Sequence, residues 1–316
     1  MPILSFIDNV LLQGMAYGIA VLGVILAFRI VRYPDLTPDG SFLLGSAAYA
    51  SAVSSGISWP IATGLAFGIG AIAGAITSLM ASHMKINRLL AGILTTMIAY
   101  SVGYRILGGR PNVGLPDRGH VFELGAELDS SVLARNFEVH PGSILVLLTI
   151  SVCLCAIVIY TMRSQWGLLL RATGNRPSLV QELQRRPWLY QLQGLALANG
   201  LVALSAALVS ARQGFADVNA GAGIIITLVA ALVIGEGLAR ALRLDPTRDL
   251  RGRVFAAFVG ATAYFLLLLC VLRASILEWF PVQISPTDIK LVSALAVIVA
   301  VSVRLRATKD EEVLPL

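Results

Sequence analysis

Charge is scarce in this chain. Of its 316 residues, 13% are Asp, Glu, Lys or Arg, about half of the ~25% usual in soluble domains. Cysteine is nearly absent. Cys153, Cys155 and Cys270 all fall in apolar runs, form no C-x-x-C motif, and read as small core residues rather than a metal or redox site. The three histidines, His83, His120 and His140, all lie in expected loops, which disfavours a buried dyad with serine and hence an intramembrane protease. There is no G-x-x-x-x-G-K-[ST] and no H-E-x-x-H, so neither a phosphate-binding loop nor a zinc hydrolase motif is present. The first nine residues, M-P-I-L-S-F-I-D-N, carry no Lys or Arg and no clear cleavage site, unlike a signal peptide. Alternating strands of about ten residues, which a membrane barrel needs, are also missing. No catalytic residue, metal or cofactor is expected.

What is present is apolar sequence, 57% of the chain, with a mean hydropathy of +0.80. Several windows approach the ~20 residues that cross a bilayer. The expectation is an all-α polytopic membrane protein, one transmembrane domain over 1–316, with about nine membrane-embedded segments: 9–30, 41–56, 59–82, 89–107, 142–162, 189–210, 221–237, 254–271 and 289–303. The second and seventh are short or broken.

Basic residues set the orientation. Alternate loops hold Arg29 and Arg32; Lys85 and Arg88; five arginines between 163 and 187; Arg240, Arg243, Arg248, Arg251 and Arg253; and Arg304, Arg306 and Lys309, which is 17 of the 24. The positive-inside rule puts these loops in the cytoplasm, the N-terminus outside and the C-terminus inside. The net charge of +6 therefore marks topology and not a nucleic-acid partner. Trp59, Trp166, Trp188 and Trp279 fall at span ends, as an interfacial belt requires. Gly64/Gly68 and Gly70/Gly74 give two G-x-x-x-G spacings in the third segment, read as tight packing within the chain in preference to a dimer seam.

The longest cytoplasmic polar island is the loop 163–187. Asn175-Arg176-Pro177-Ser178 is a helix start, Leu179, Val180 and Leu183 form a short apolar stripe, and Pro187 is expected to stop the run. A short helix outside the bilayer between two spans is a docking element. The loop 108–141, which contains Pro116 and Asp117, is the longest external one, read either as a docking loop or as a solvated connection with a short surface helix.

Polar groups break the apolar pattern in two places. In R-Y-P-D-L-T-P-D-G-S, 32–41, Asp35, Thr37, Asp39 and Ser41 could cap the second helix, with Asp39 or Ser41 as N-cap. If the turn is drawn into the membrane it lines a pathway; otherwise it is an ordinary cytoplasmic turn. In Q-G-F-A-D-V-N-A-G-A-G, 213–223, Asp217 and Asn219 stand at the outer mouth of the seventh helix. Glu236 stands at its inner end, near enough to Arg240 and Arg243 for an ion pair. Asn199, Thr95 and Thr96 are weaker pathway candidates.

These stretches carry a resemblance. D-L-T-P-D-G-S-F-L-L-G (35–45), M-K-I-N-R-L-L-A-G-I-L-T-T (84–96), R-I-L-G-G-R-P-N (105–112), G-L-L-L-R-A-T-G-N (167–175), G-L-A-L-A-N-G-L-V-A-L-S-A-A-L (194–208), Q-G-F-A-D-V (213–218) and V-I-G-E (233–236) occur in order. Together they resemble the permease subunits of bacterial ABC importers, in the class of branched-chain amino acid and ribose permeases, and most of all its tryptophan/tyrosine-type branch. The resemblance implies a permease pair, cytoplasmic ATPase subunits and an external solute-binding protein, in the inner membrane of a bacterium. It implies coupling to the ATPase through Arg171, Thr173, Gly174, Asn175, Pro177, Leu179, Glu182 and Leu183. It implies an amino-acid-like or other small polar solute. The chain departs from the family at Q-R-R-P-W-L-Y (184–190), where members carry a Gly-containing turn. A stand-alone secondary transporter with an ion path through Asp39 or Glu236 is the alternative; an intramembrane enzyme or a scaffold comes after it.

Overall fold

The computed structural model describes residues 3–116, 119–125, 129–130, 140–242, 250–276 and 291. Helix α1 (Ile3–Ile25) runs into a π-helical turn, Leu26–Val31, that ends on Arg32 with φ 54°. Then come α2 (Pro38–Ser54), α3 (Trp59–Ser82), α4 (Arg88–Ile106), strand β1 (Asn112–Gly114) and a 3-10 turn, Val121–Gly125. The second half holds α5 (Pro141–Arg163), α6 (Gln165–Asn175), α7 (Pro177–Glu182), α8 (Pro187–Gln213), β2 (Phe215–Asp217), α9 (Ile224–Ala241) and α10 (Leu250–Ile276). Among the described residues, seven helices are long and apolar enough to cross a membrane: α1 with its π turn, α3, α4, α5, α8, α9 and α10. The second expected segment is the 17-residue α2. The ninth, 289–303, lies outside the described residues apart from residue 291.

Two helices form the centre. α2 is buried on all sides, with Asp39, Ser51 and Ser54 its only residues not buried. α8 is buried almost without a break from Ala198 to Ala211. Buried glycines let the backbones touch. A Cβ on Gly45 would strike the Ala203 backbone, and one on Gly70 or Gly74 would strike α8 at Asn199 or Leu195. The two G-x-x-x-G pairs therefore differ. Gly70/Gly74 packs within the chain, as expected, whereas a Cβ on Gly64 or Gly68 would meet nothing within 4 Å.

The close contacts also give direction. α1 is antiparallel to α8, since the Ala16 carbonyl meets Ser205 and Gly23 meets Ala198. α10 is antiparallel to α1, through Gly14 on Thr262 and Gly18 on Phe258, and α9 is antiparallel to α10, through Gly235 on Ala256. α2 follows α8, Ser41 meeting Asn199 and Ser46 meeting Ser210. α2 and α9 thus run to opposite ends of the bundle.

Two local expectations need correction. Pro187 does not stop the run; it opens α8, where its missing N–H costs nothing. The break falls earlier. Gln184 adopts φ 56°, its N–H bonds the Gln181 carbonyl and the Arg185 N–H bonds the Val180 carbonyl, a Schellman C-cap with Gln at the position usually held by Gly. The cysteines are not core residues either: Cys153 and Cys270 are exposed and Cys155 is half-buried. In a membrane chain an apolar run has no reason to turn inward, so apolarity alone does not locate the core.

Candidate translocation pathway and docking helices

The polar residues of 32–41 meet those of α3, α4 and α8 in one buried network. Asp35 Oδ1 accepts from its near neighbour Thr37 N at 2.9 Å, and Asp35 Oδ2 accepts from Asn199 Nδ2 at 2.7 Å. Asn199 Oδ1 accepts from Ser41 Oγ at 2.8 Å. Thr37 Oγ1 lies 2.7 Å from Thr77 Oγ1, which donates to Thr95 Oγ1 at 2.9 Å; Thr95 donates to the Ala91 carbonyl at 3.0 Å. Thr77 Oγ1 also reaches the Ala73 carbonyl at 3.2 Å, so the three hydroxyls form one cluster that closes on helix carbonyls. Thr96 Oγ1 pins the Leu36 carbonyl at 2.9 Å. Asp35, Thr37, Ser41, Thr77 and Asn199 are all 0% exposed and Thr95 is 2% exposed. Five of the expected pathway residues are therefore in mutual reach. Thr77 was missed: in I-T-S-L-M-A-S it looks like any helix-bonded threonine, and only the partner helices reveal it.

Depth follows from Asn199. It lies twelve residues into α8, about 18 Å from the start of a helix roughly 40 Å long. The segment 32–37 thus enters the bundle about as far as its middle. α9 begins at the same place from the other side. Asp39 Oδ2 accepts from Gly223 N at 3.0 Å and Oδ1 accepts from Ile225 N at 2.8 Å, while Gly221 abuts the Asp39 carbonyl. Here the capping expectation is overturned. The N-cap of α2 is Thr37, without a side-chain bond, Ser41 turns to Asn199, and Asp39 caps α9 instead. The geometry decides this, because the free N–H groups of α9 point at Asp39, and a carboxylate between two helix N-termini is favoured by both dipoles.

Asp217 and Asn219 stay local. β2 pairs antiparallel with β1, Asn112 opposite Asp217, and Asp217 Oδ1 accepts from Asn219 N at 2.6 Å. Asp117 lies outside the described residues. Glu236 is 7% exposed and is held chiefly by Arg29, whose Nε and Nη2 each reach a carboxylate oxygen at 2.7 Å. Arg240 is farther, at 3.8 Å, and Arg243 lies outside the described residues. Arg29 sits on the π turn, a helix irregularity frequent at functional sites.

At the end of the bundle that carries Arg29 lie α6 and α7. Gly167, Leu170, Thr173 and Val180 face inward. Thr173 donates to the Leu169 carbonyl at 2.8 Å, and Arg171 reaches the Gly167 and Met162 carbonyls. Gly174 lies against the Ile30 carbonyl and Val31, so that any Cβ there would collide with the π turn. Asn175, Pro177, Leu179, Glu182 and Leu183 are exposed; Leu179 and Leu183 are two large apolar side chains one helical turn apart at 42% and 56% exposure. The eight residues expected at this face thus divide. Thr173 and Gly174 join it to the bundle, and the rest line its outside or its edge.

A multi-pass helical membrane protein with two short helices meeting inside the bundle and a pair of short helices at one end is a transport scaffold by class. Residues 6–302 match the family described as "Branched-chain amino acid transport system / permease component", and the chain belongs to that family. It is 30% identical over 287 residues to an uncharacterized protein of Rickettsia prowazekii (strain Madrid E), covering 89% of this chain and 91% of that one. It is 29% identical over 297 residues to the tyrosine transport system permease protein of Clostridioides difficile (strain R20291), covering 93% and 90%. No solved structure matches. The protein is a transport permease component.

Proposed function

We propose that the chain is the transmembrane subunit of an ATP-binding-cassette importer for a small amino-acid-like solute in the cytoplasmic membrane of a bacterium. It is one transmembrane domain of nine embedded segments, with the N-terminus outside and the C-terminus in the cytoplasm. Two copies form the pore, an external binding protein delivers solute on the side of the 108–141 loop, and separate ATPase subunits grip the 163–187 loop. The chain itself catalyses nothing. The name of the Clostridioides difficile relative supports an amino acid as cargo.

One observation carries this reading: the exposed Leu179 and Leu183 belong to a helix pair whose Gly174 touches the π turn at Ile30. From Ile30 the backbone passes through Arg32 in the left-handed conformation to Asp35, and from Asp35 to Asn199 and the threonines. Displacement of α6 and α7 by a closing ATPase would push on the segment that fills the middle of the bundle, a two-state coupling between docking face and pathway. The test is co-purification. Leu179→Asp with Leu183→Asp should leave the chain folded, since both side chains are exposed, and abolish recovery of the ATPase and ATP-driven uptake together. Unchanged recovery and uptake would sink the coupling role.

A further inference from the structure

Two cavities open where α8 ends, at the opposite end from α6 and α7. The larger, about 580 Å³, is lined by His120, Glu123, Asp129 and Arg212 among others, and the smaller, about 290 Å³, by Leu12, Ala16, Tyr17 and Val209 with the amides of Asn9 and Gln13. Arg212 and Gln213 belong to both walls. Together they fall in the range of small-molecule sites, ~300–1,000 Å³.

The larger cavity has unspent binding capacity. The Arg212 Nε is buried and has no hydrogen-bond partner, and Arg212 makes no ion pair among the described residues. The His120 Nδ1 is buried and unpartnered as well. Arg212 as a whole is half-buried, but its shielded Nε has nothing to bond until an anion arrives, and the planar fork suits a carboxylate. The acids of the cavity do not serve Arg212. Asp129 is occupied at the start of α5, accepting from Gly142 N at 2.7 Å and from Ser143 Oγ at 2.7 Å. Glu123 makes no ion pair among the described residues and lines the same space, where it suits an ammonium group. The smaller cavity differs in kind. Apart from the shared Arg212 it has no charged wall, and its aromatic side is fixed from behind, Tyr17 lying 5.7 Å from Phe42 and 4.6 Å from Phe265 between ring centroids.

We propose that these two cavities form a reception site for a free α-amino acid with an apolar or aromatic side chain. The carboxylate goes to Arg212, with His120 beside it, the ammonium to Glu123, and the side chain into the compartment of Leu12, Tyr17 and Val209. The inference rests on the importer reading, which makes this end the one that receives solute, and it narrows the cargo from amino-acid-like to that class.

The test is equilibrium binding of labelled L-phenylalanine to the purified full chain in nanodiscs, with competition by L-aspartate, phenethylamine and 3-phenylpropionate. Saturable binding is expected, with L-aspartate and phenethylamine, which lacks the carboxylate, competing at least 10-fold more weakly than unlabelled L-phenylalanine. Arg212→Gln should weaken L-phenylalanine at least 10-fold and leave ATPase co-purification unchanged. Glu123→Gln should narrow the gap between L-phenylalanine and 3-phenylpropionate, which lacks the amine. Absence of saturable binding, phenethylamine equal to L-phenylalanine, or wild-type affinity in Arg212→Gln overturns the site. If Arg212→Gln does not fold, the competition series on the unaltered chain decides alone. Arg212-dependent binding in a chain that recruits no ATPase would leave the site standing and remove the importer reading instead.

Discussion

Replacing Asn199 by Ala removes three hydrogen bonds: those to Asp35 Oδ2 and to the Leu195 carbonyl, and the one accepted from Ser41 Oγ. The Leu195 carbonyl keeps its place in the helix, but Asp35 Oδ2 and Ser41 Oγ are left buried without that partner. A stranded buried group costs roughly 1–3 kcal/mol, so Asn199→Ala should cost about 2–6 kcal/mol of a total stability of ~5–15 kcal/mol. Asp35→Ala takes one acceptor from the Asn199 amide, which keeps the Leu195 carbonyl, and frees the turn at Thr37, for a loss of about 2–4 kcal/mol. In the double variant neither partner is left to be stranded by the other. The pair should therefore cost about 1.5–3 kcal/mol less than the two single losses added together. The assay is unfolding by SDS titration in mixed micelles, with gel filtration to show that each variant folds at zero SDS. Additivity within ~0.5 kcal/mol, or a loss below ~1 kcal/mol for Asn199→Ala, would refute the account of 32–41 as a segment bonded into the middle of the bundle.

Gln184→Gly should raise the unfolding midpoint, by about 0.5–1 kcal/mol, because glycine accepts the left-handed conformation at the C′ position that glutamine holds at a cost; the same SDS titration reads it. Gly45→Ala and Gly64→Ala should part company. The first drives a methyl into the Ala203 backbone and should lose about 1–3 kcal/mol or fail to fold. The second meets nothing and should stay level or gain up to ~1 kcal/mol.

Helix positions were legible in the sequence wherever apolar length and a Pro or Asn boundary agreed. α3 begins at Trp59-Pro60 and ends at Ser82 as expected, and the start of α7 at Pro177 was announced by N-R-P-S. The shortness of α2 and α9 was also legible, because 32–41 and 213–223 carry proline, glycine and acids where a full span would be apolar. What could not be read was pairing across distance. Asp39 looks like a cap for its own helix; that it caps α9 depends on two helices entering the bundle from opposite ends. Arg29 looks like one topology marker among many, yet it lies 207 residues from the Glu236 that it holds more closely than Arg240 does. Arg212 looks like an ordinary charge at a helix end, since nothing in its neighbours along the chain says that a cavity lies beside it. The glycine pairs make the same point: Gly64/Gly68 and Gly70/Gly74 have one spacing, and the helix turns only one pair toward α8.

The most direct measurement of the central claim is solute uptake into proteoliposomes that hold the chain with its ATPase subunits, with the external binding protein loaded outside. The account predicts uptake that needs internal ATP, stops with vanadate, and is lost in Leu179→Asp with Leu183→Asp while the chain remains inserted. Uptake by the chain alone, driven by a proton or sodium gradient and indifferent to ATP and to those two substitutions, would contradict it and make the protein a secondary transporter.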